Sequence, residues 1–215
     1  MRITVVLLLV ALGYAQEPGE EQKKERAPTE IALQHMGKGR AAIAAKKIPE
    51  AIEHLQKAIV QLQKLVTKGL ARWLPKAPKD WTRGKIKLNS GNWAGGEHAM
   101  QWNEARSRYT TTDGRVMNAS VTTSPQAIKG SRQEAGAYMN PQMLKMMNND
   151  RTRIELINAD GWVGWIIVQR GRNATLVAMA ENVMFLLSLK TGDSMGTIKR
   201  FWAAFDRKGC AAAHP

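Results

Sequence analysis

One cysteine, Cys210, in 215 residues excludes any internal disulfide, and with it the small secreted scaffolds built on cysteine pairs. Histidine is scarce too. None of His35, His54, His98 and His214 belongs to a recognisable catalytic motif. There is no GxSxG, no HExxH, no Walker loop and no GxGxxG in a strand–helix context, which removes the common signatures of nucleophilic, zinc-dependent and nucleotide-dependent enzymes. Glu97 and Glu104 flank a loop-to-strand junction, and nothing in the sequence brings these carboxylates together. Cys210 falls in a small-residue tail, CAAAHP, where a chain end would position no nucleophile. The expectation is a protein that is not an enzyme and holds no cofactor.

Basic residues, by contrast, are abundant. Lys and Arg number 32 against 18 Asp and Glu, a formal charge of +14. Such an excess speaks to partners rather than to fold. The first fifteen residues read as a secretory signal: Arg2, the apolar run Ile3–Leu12, then the small-x-small site Gly13-Tyr14-Ala15. The run is too short to span a bilayer as a mature helix. The mature chain is therefore expected to be exported, periplasmic or extracellular, beginning near residue 16.

Residues 16–28 are polar and mixed in charge, and are expected to form a flexible leader. Thr29, after Pro28, is placed to cap a helix with Ala32, Met36, Gly39 and Ile43 on one face. Lys46-Lys47 closes it. Ile48-Pro49 opens a second helix with proline in its tolerated first turn. Its apolar stripe runs Ala51, Ile52, Leu55, Ala58, Ile59, Leu62, Leu65, Val66. Residues 29–73 thus predict a helical hairpin. The stretch KKIPEAIEHLQKAI resembles a single tetratricopeptide-type unit, but no second copy follows, which excludes a repeat array. Residues 74–82 (LPKAPKDWT) form the linker, with two prolines against helix and Trp81 as an anchor.

The second domain, residues 83–209, is expected to be organised by the meander Thr152–Leu189. Asp160-Gly161 is a two-residue hairpin signal. It pairs Ala159 with Trp162, Leu156 with Trp165 and Ile154 with Ile167; a one-residue slip would set Glu155 against Trp165. Turns near Gly171-Arg172-Asn173 and Glu181-Asn182 continue the meander. An earlier hairpin around Thr112-Asp113-Gly114 pairs Tyr109 with Met117, Ser107 with Ala119 and Ala105 with Val121. Its opposite, wet face carries Arg106, Arg108, Asn118 and Ser120. Gly84–Ser90 predicts a short strand, Gly91–Gly96 a loop, Ser124–Ala137 a polar loop, and Asn140-Pro141 the start of a short helix. Ser194 is placed to cap a last helix with Ile198, Phe201, Trp202 and Phe205 on one face, Arg207 and Lys208 at its negative end and Gly209 as its stop. Residues 210–215 read as a flexible tail. The fold class expected is α+β: an N-terminal helical hairpin, then a mainly antiparallel sheet covered by a C-terminal helix.

With Ala51–Leu65, Leu74-Pro75 through Pro78, Trp81, Thr82, the Thr152–Asp160 strand, the Ala174–Leu189 pair and the Ser194–Phe205 helix in place, the chain resembles a family of exported bacterial proteins. That family combines a signal peptide, a helical hairpin, an LPxxPxGWT-like junction and a compact α+β domain. More distantly it is similar to the α/β/α sandwich of Mog1/PsbP-type proteins. The likeness implies a non-catalytic binding or assembly role.

Three partner classes follow from the residues. The wide apolar stripe, with Ile52, Leu55, Ile59 and Leu62 at its centre, is a candidate surface for a protein partner or a homodimer. Arg106 and Arg108 are candidate anion-binding residues for envelope polymers or lipid head groups. Nucleic acid is not expected, because the tryptophans are dispersed rather than interleaved with a basic patch. Met139, Met143, Met146 and Met147 raise copper, since thioethers ligate Cu(I). Helical spacing equally fits methionine as core filler, with a pocket near Met143–Met147 left open.

Overall fold

The computed structural model describes residues 20–95, 98–190 and 195–214. The expected signal segment, residues 16–19 of the expected leader, Glu97 and Ser194 lie outside them. The chain divides into two compact units, residues 1–61 and 62–215.

The first unit is a helical hairpin. Helix α1 spans Glu20–Ala44 and helix α2 spans Ile48–Ala71, its last turns belonging to the second unit. Lys46, at φ 58°, makes the turn between them. Helix α1 begins nine residues before the expected Thr29 cap and runs through Pro28, so residues 20–28 are helix rather than flexible leader. Glu, Gln, Lys and Arg are good helix formers, which offsets the backbone bond that Pro28 removes. The two helices meet through small residues. Ala32, Gly39 and Ala42 of α1, and Ala51 and Ala58 of α2, are buried. A Cβ at Gly39 would sit 3.1 Å from Leu55 Cγ, so glycine sets the distance between the helices there. Ile43, expected inside, is 52% exposed; Ala42 takes its place.

The second unit is a three-layer α+β structure around one antiparallel sheet. Its strands are β1 (Thr82–Arg83), β2 (Lys87–Gly95), β3 (His98–Thr110), β4 (Val116–Thr122), β5 (Thr152–Ala159), β6 (Trp162–Gln169), β7 (Asn173–Met179) and β8 (Met184–Lys190), in the order β1-β3-β4-β8-β7-β6-β5 with β2 also on β3. Both hairpin registers inferred from side-chain parity are present. Ala159 pairs with Trp162, Leu156 with Trp165 and Ile154 with Ile167; Tyr109 pairs with Met117, Ser107 with Ala119 and Ala105 with Val121. Asp160 and Gly161 both have positive φ, 54° and 79°, as a type I′ turn requires. Residues 91–95, expected as loop, complete β2.

One face of the sheet carries helix α5 (Met195–Ala203) and helix α6 (Arg207–Ala213). Ile198, Phe201, Trp202 and Phe205 are all buried, as the stripe predicts. Phe205 stacks on Phe185 with centroids 4.1 Å apart, and Phe201 meets Trp81 and Tyr109 edge-on at 5.2 and 5.0 Å. Trp81 is buried, so the linker is anchored there. The last turns of α2 join this core: Leu70 is buried in it, and the Thr67 hydroxyl donates to Asn103 Oδ1 at 3.0 Å.

The other face is covered by helix α3 (Pro125–Tyr138) and helix α4 (Pro141–Met147). Helix α3 occupies the stretch expected to be a polar loop. Ser124 is its N-cap, Pro125 sits in its first turn, and Ile128, Ala135 and Tyr138 face the sheet. With helices on both faces, strands apolar on both sides are explained. Residues 210–213, expected in a flexible tail, also depart from expectation. The last helix breaks after Ala203 and restarts at Arg207 under the Asp206 cap, so Arg207 and Lys208 begin a helix rather than end one. Gly209 lies inside α6, where a Cβ would stand 2.3 Å from Asp206 Oδ2. Cys210 is buried in the core rather than loose in a tail.

Candidate functional site

Helix α2 is amphipathic in an unusual way. From Ile48 to Val66 its alanines are covered and a row of its large apolar residues is not, while Leu70 near its end is buried. Ala51 and Ala58 pack in the hairpin, while Ile48, Ile52, Leu55, Ile59, Leu62 and Val66 remain between 38% and 53% exposed. A row of six branched side chains left open along one helix is what a docking surface offers and a monomer's solvated face does not. The four residues singled out from the sequence, Ile52, Leu55, Ile59 and Leu62, all lie in this row.

The geometry explains why they stay open. In the hairpin, close approach through alanine and glycine brings the backbones together along a narrow line, leaving the adjacent line of Ile52 and Ile59 uncovered. In the second unit, α2 turns Gln63, Thr67 and Leu70 inward, and Leu62 and Val66 fall to the side. The charged residues of the helix, Glu50, Glu53, Lys57, Lys64 and Lys68, stand on the face opposite the row by helical spacing.

The remaining candidates are scattered. Arg106 and Arg108 are exposed on β3, paired across to Ser120 and Asn118, but Ser120, expected on the wet face, is buried. Arg106 is already engaged, its Nη2 lying 2.9 Å from Glu104 Oε1. A denser arginine group was not apparent from the sequence. Arg151, Arg170 and Arg172 line a cavity of about 560 Å³ where the turn leading into β5 meets the β6–β7 turn, with Asp150 beside them. Only the sheet register brings these turns together. A second cavity, about 710 Å³, is lined by Val66, Ile128, Lys129, Arg132 and His214 among others. Arg132 is turned away to the carbonyls of Ala180 and Glu181, at 3.1 and 2.7 Å. Neither cavity is lined by a residue of Met143–Met147.

The methionines divide. Met147 packs against the core under α4, whereas Met139, Met143 and Met146 are exposed, Met146 to 81%. Core filling accounts for one of the four. Among the described residues no group of three or more His, Cys, Asp or Glu side chains is placed to hold a metal ion, and no helix is long and apolar enough to cross a membrane. Burial pushes the Cys210 thiol up to about 12, with Asp206 adding to the effect. His35 and His54 face each other across the hairpin, their Nδ1 atoms 3.4 Å apart.

In class, the chain is an α+β protein with an N-terminal helical hairpin. No protein-family model, curated protein or solved structure matches it.

Proposed function

We propose that the chain is an exported, non-enzymatic module that docks a protein partner through helix α2. The observation that supports this is the row Ile52, Leu55, Ile59, Leu62: four large apolar side chains, 38–51% exposed, on one helix face cleared of charge. Completing the burial of a half-exposed Ile or Leu is worth about 1 kcal/mol, so the row brings about 4 kcal/mol and a partner surface of similar apolarity adds as much again against the cost of association. Export rests on the Arg2–Ala15 pattern and on the likeness to exported bacterial proteins.

The test is affinity capture from an envelope fraction at low and high salt, comparing the native chain with an Ile52→Ser/Ile59→Ser variant. An apolar contact survives high salt and is lost in the variant. Capture that disappears in high salt and is indifferent to the two substitutions would replace this reading with that of a basic protein on anionic polymers. For that second reading, Arg151, Arg170 and Arg172 form a better-gathered group than Arg106 and Arg108.

A further inference from the structure

The exposed row on α2 has a spacing that identifies its occupant. Ile48, Ile52, Leu55, Ile59, Leu62 and Val66 are separated by 4, 3, 4, 3 and 4 residues, an unbroken 3.5-residue repeat. Set in heptad positions, Ile52, Ile59 and Val66 fall at a, and Ile48, Leu55 and Leu62 at d. Every a residue is β-branched, and both interior d residues are leucine. That assignment of shapes favours two parallel strands over trimers or tetramers, because β-branched knobs fit the a holes and leucine the d holes of a parallel pair. From these residues, resting on the docking role of α2 proposed above, we infer that the partner is a second copy of this chain, joined by parallel, in-register pairing of α2 with its symmetry mate.

Charge supports the same occupant. All five charged residues of α2 fall at b, c or f: Glu53 at b, Lys68 at c, and Glu50, Lys57 and Lys64 at f. The flanking e and g positions hold Pro49, Gln56 and Gln63, and Ala51, Ala58 and Leu65. Two copies with a formal charge of +14 each can therefore approach along this line without setting lysine against lysine. A membrane-surface helix would instead carry its lysines beside the apolar face, where they reach head groups. Here Lys57 and Lys64 lie opposite it. The seam ends where the shape ends: the next d position is Gly69, which offers no knob.

Its size sets the strength. From Ile48 to Val66 the seam is about 27 Å long at 1.5 Å per residue. Twelve half-exposed side chains supply on the order of 600 Å² of apolar surface, reckoned from the transfer energy of a buried Leu or Ile at 25 cal/mol per Å². Apolar area is a little over half of a typical interface, so the whole contact comes to about 1,000 Å², the transient end of the range, and the dimer forms and dissociates with concentration rather than being permanent. It is isologous: the same row on both chains, closed by a two-fold axis.

The experiment is sedimentation equilibrium of the full mature chain across a concentration series, with Ile59→Glu and Lys57→Glu variants. The native chain and Lys57→Glu, altered at f, should dimerise with the same dissociation constant. Ile59→Glu sets two carboxylates face to face in an a layer and should weaken the dimer by at least about 100-fold. Ile59 is 43% exposed, so the far-UV circular dichroism of that variant should match the native chain. With oxidised glutathione supplied as the oxidant, an Ile52→Cys variant should form an inter-chain disulfide through the a layer, two thiols being oxidised as glutathione is reduced, without competition from the buried Cys210. A dimer that gives no such disulfide overturns the parallel register. A chain that stays monomeric, yet loses envelope capture in Ile59→Glu, overturns self-association and leaves the docking role standing. A monomer whose capture is indifferent to Ile59→Glu overturns both.

Discussion

His35 Nδ1 and His54 Nδ1 lie 3.4 Å apart across the α1–α2 hairpin, with ring centroids separated by 5.6 Å. At that distance one neutral imidazole can donate and the other accept; two imidazolium rings can only repel. Partial burial holds the His35 pKa below its ordinary value of 6.5, and His54, Lys57 and Lys38 push the same way while Glu53 opposes them. A histidine depressed in the folded state binds its proton more readily in the unfolded chain, so stability falls as pH drops below about 6.5 and is flat above it. Hairpin helicity, followed by circular dichroism from pH 8 to pH 5, should decline in the native chain and decline less in His35→Gln. Superimposable profiles would show that the pair has no part in holding the helices.

Gly164 sits in the middle of β6, opposite Ala178 of β7. A Cβ there would lie 2.0 Å from the Val177 carbonyl oxygen and 2.7 Å from Ala178 Cα, both backbone atoms that cannot swing aside. Gly161, at φ 79°, is glycine for a different reason: it has open space around it but a left-handed backbone. The two should separate by magnitude. Gly164→Ala is expected to cost about 3 kcal/mol in urea denaturation through forced strand separation. Gly161→Ala should cost about 1 kcal/mol through conformation alone. Equal costs would mean that β6 and β7 can shift apart freely.

Tyr109 ties the linker to the sheet. Its hydroxyl donates to the Pro75 carbonyl at 2.6 Å, and burial pushes the phenol up to about 12, which keeps it a neutral donor across the physiological range. Tyr109→Phe retains the edge-on packing with Phe201 and leaves the buried Pro75 carbonyl without this partner. The expected loss is about 1–2 kcal/mol by thermal or chemical denaturation. A Phe variant as stable as the native chain would mean that water or another donor replaces the hydroxyl.

Legibility followed the strength of local signals. The β5–β6 and β3–β4 registers were readable because a one-residue slip would have set Glu155 against Trp165 or Arg106 against Val121. The stripe over Ile198, Phe201, Trp202 and Phe205 was readable because four large side chains repeat at helical spacing, although α5 itself ends at Ala203. Helix α3 was not, because only Ile128, Ala135 and Tyr138 mark its buried face and Gly130 and Gly136 dilute it. The Ser124-Pro125 pair, equally a loop opening, is its cap and first turn. In the hairpin the stripe on α2 was visible, but its division was not. Alanine and large residues share one arc of the helix, and only packing decides that alanine goes inward and isoleucine stays out. The arginine group at Arg151, Arg170 and Arg172 depends on two turns meeting, which no local pattern encodes.

The C-terminal residues show how a single buried side chain changes the reading of a chain end. Cys210 is fully covered in α6, and its helix is held by the Arg207–Asp160 ion pair at 2.9 Å and by the Trp162 Nε1 donating to the Arg207 carbonyl at 3.0 Å. With its pKa at about 12, the thiol is protonated at neutral and mildly alkaline pH, and a thiolate is what alkylating agents attack. Native protein at pH 8 should therefore resist iodoacetamide, and labelling should appear in step with unfolding of the sheet as urea is added. Asp160→Asn keeps a side chain tolerant of the left-handed turn while removing the charge that holds Arg207. It should accelerate labelling in the absence of denaturant by several-fold, because a partly exposed ion pair contributes up to about 1 kcal/mol to keeping α6 closed. Rapid labelling of the native chain, unaffected by Asp160→Asn, would mean that α6 is not docked in solution and that residues from Cys210 onward are the loose tail their composition suggests.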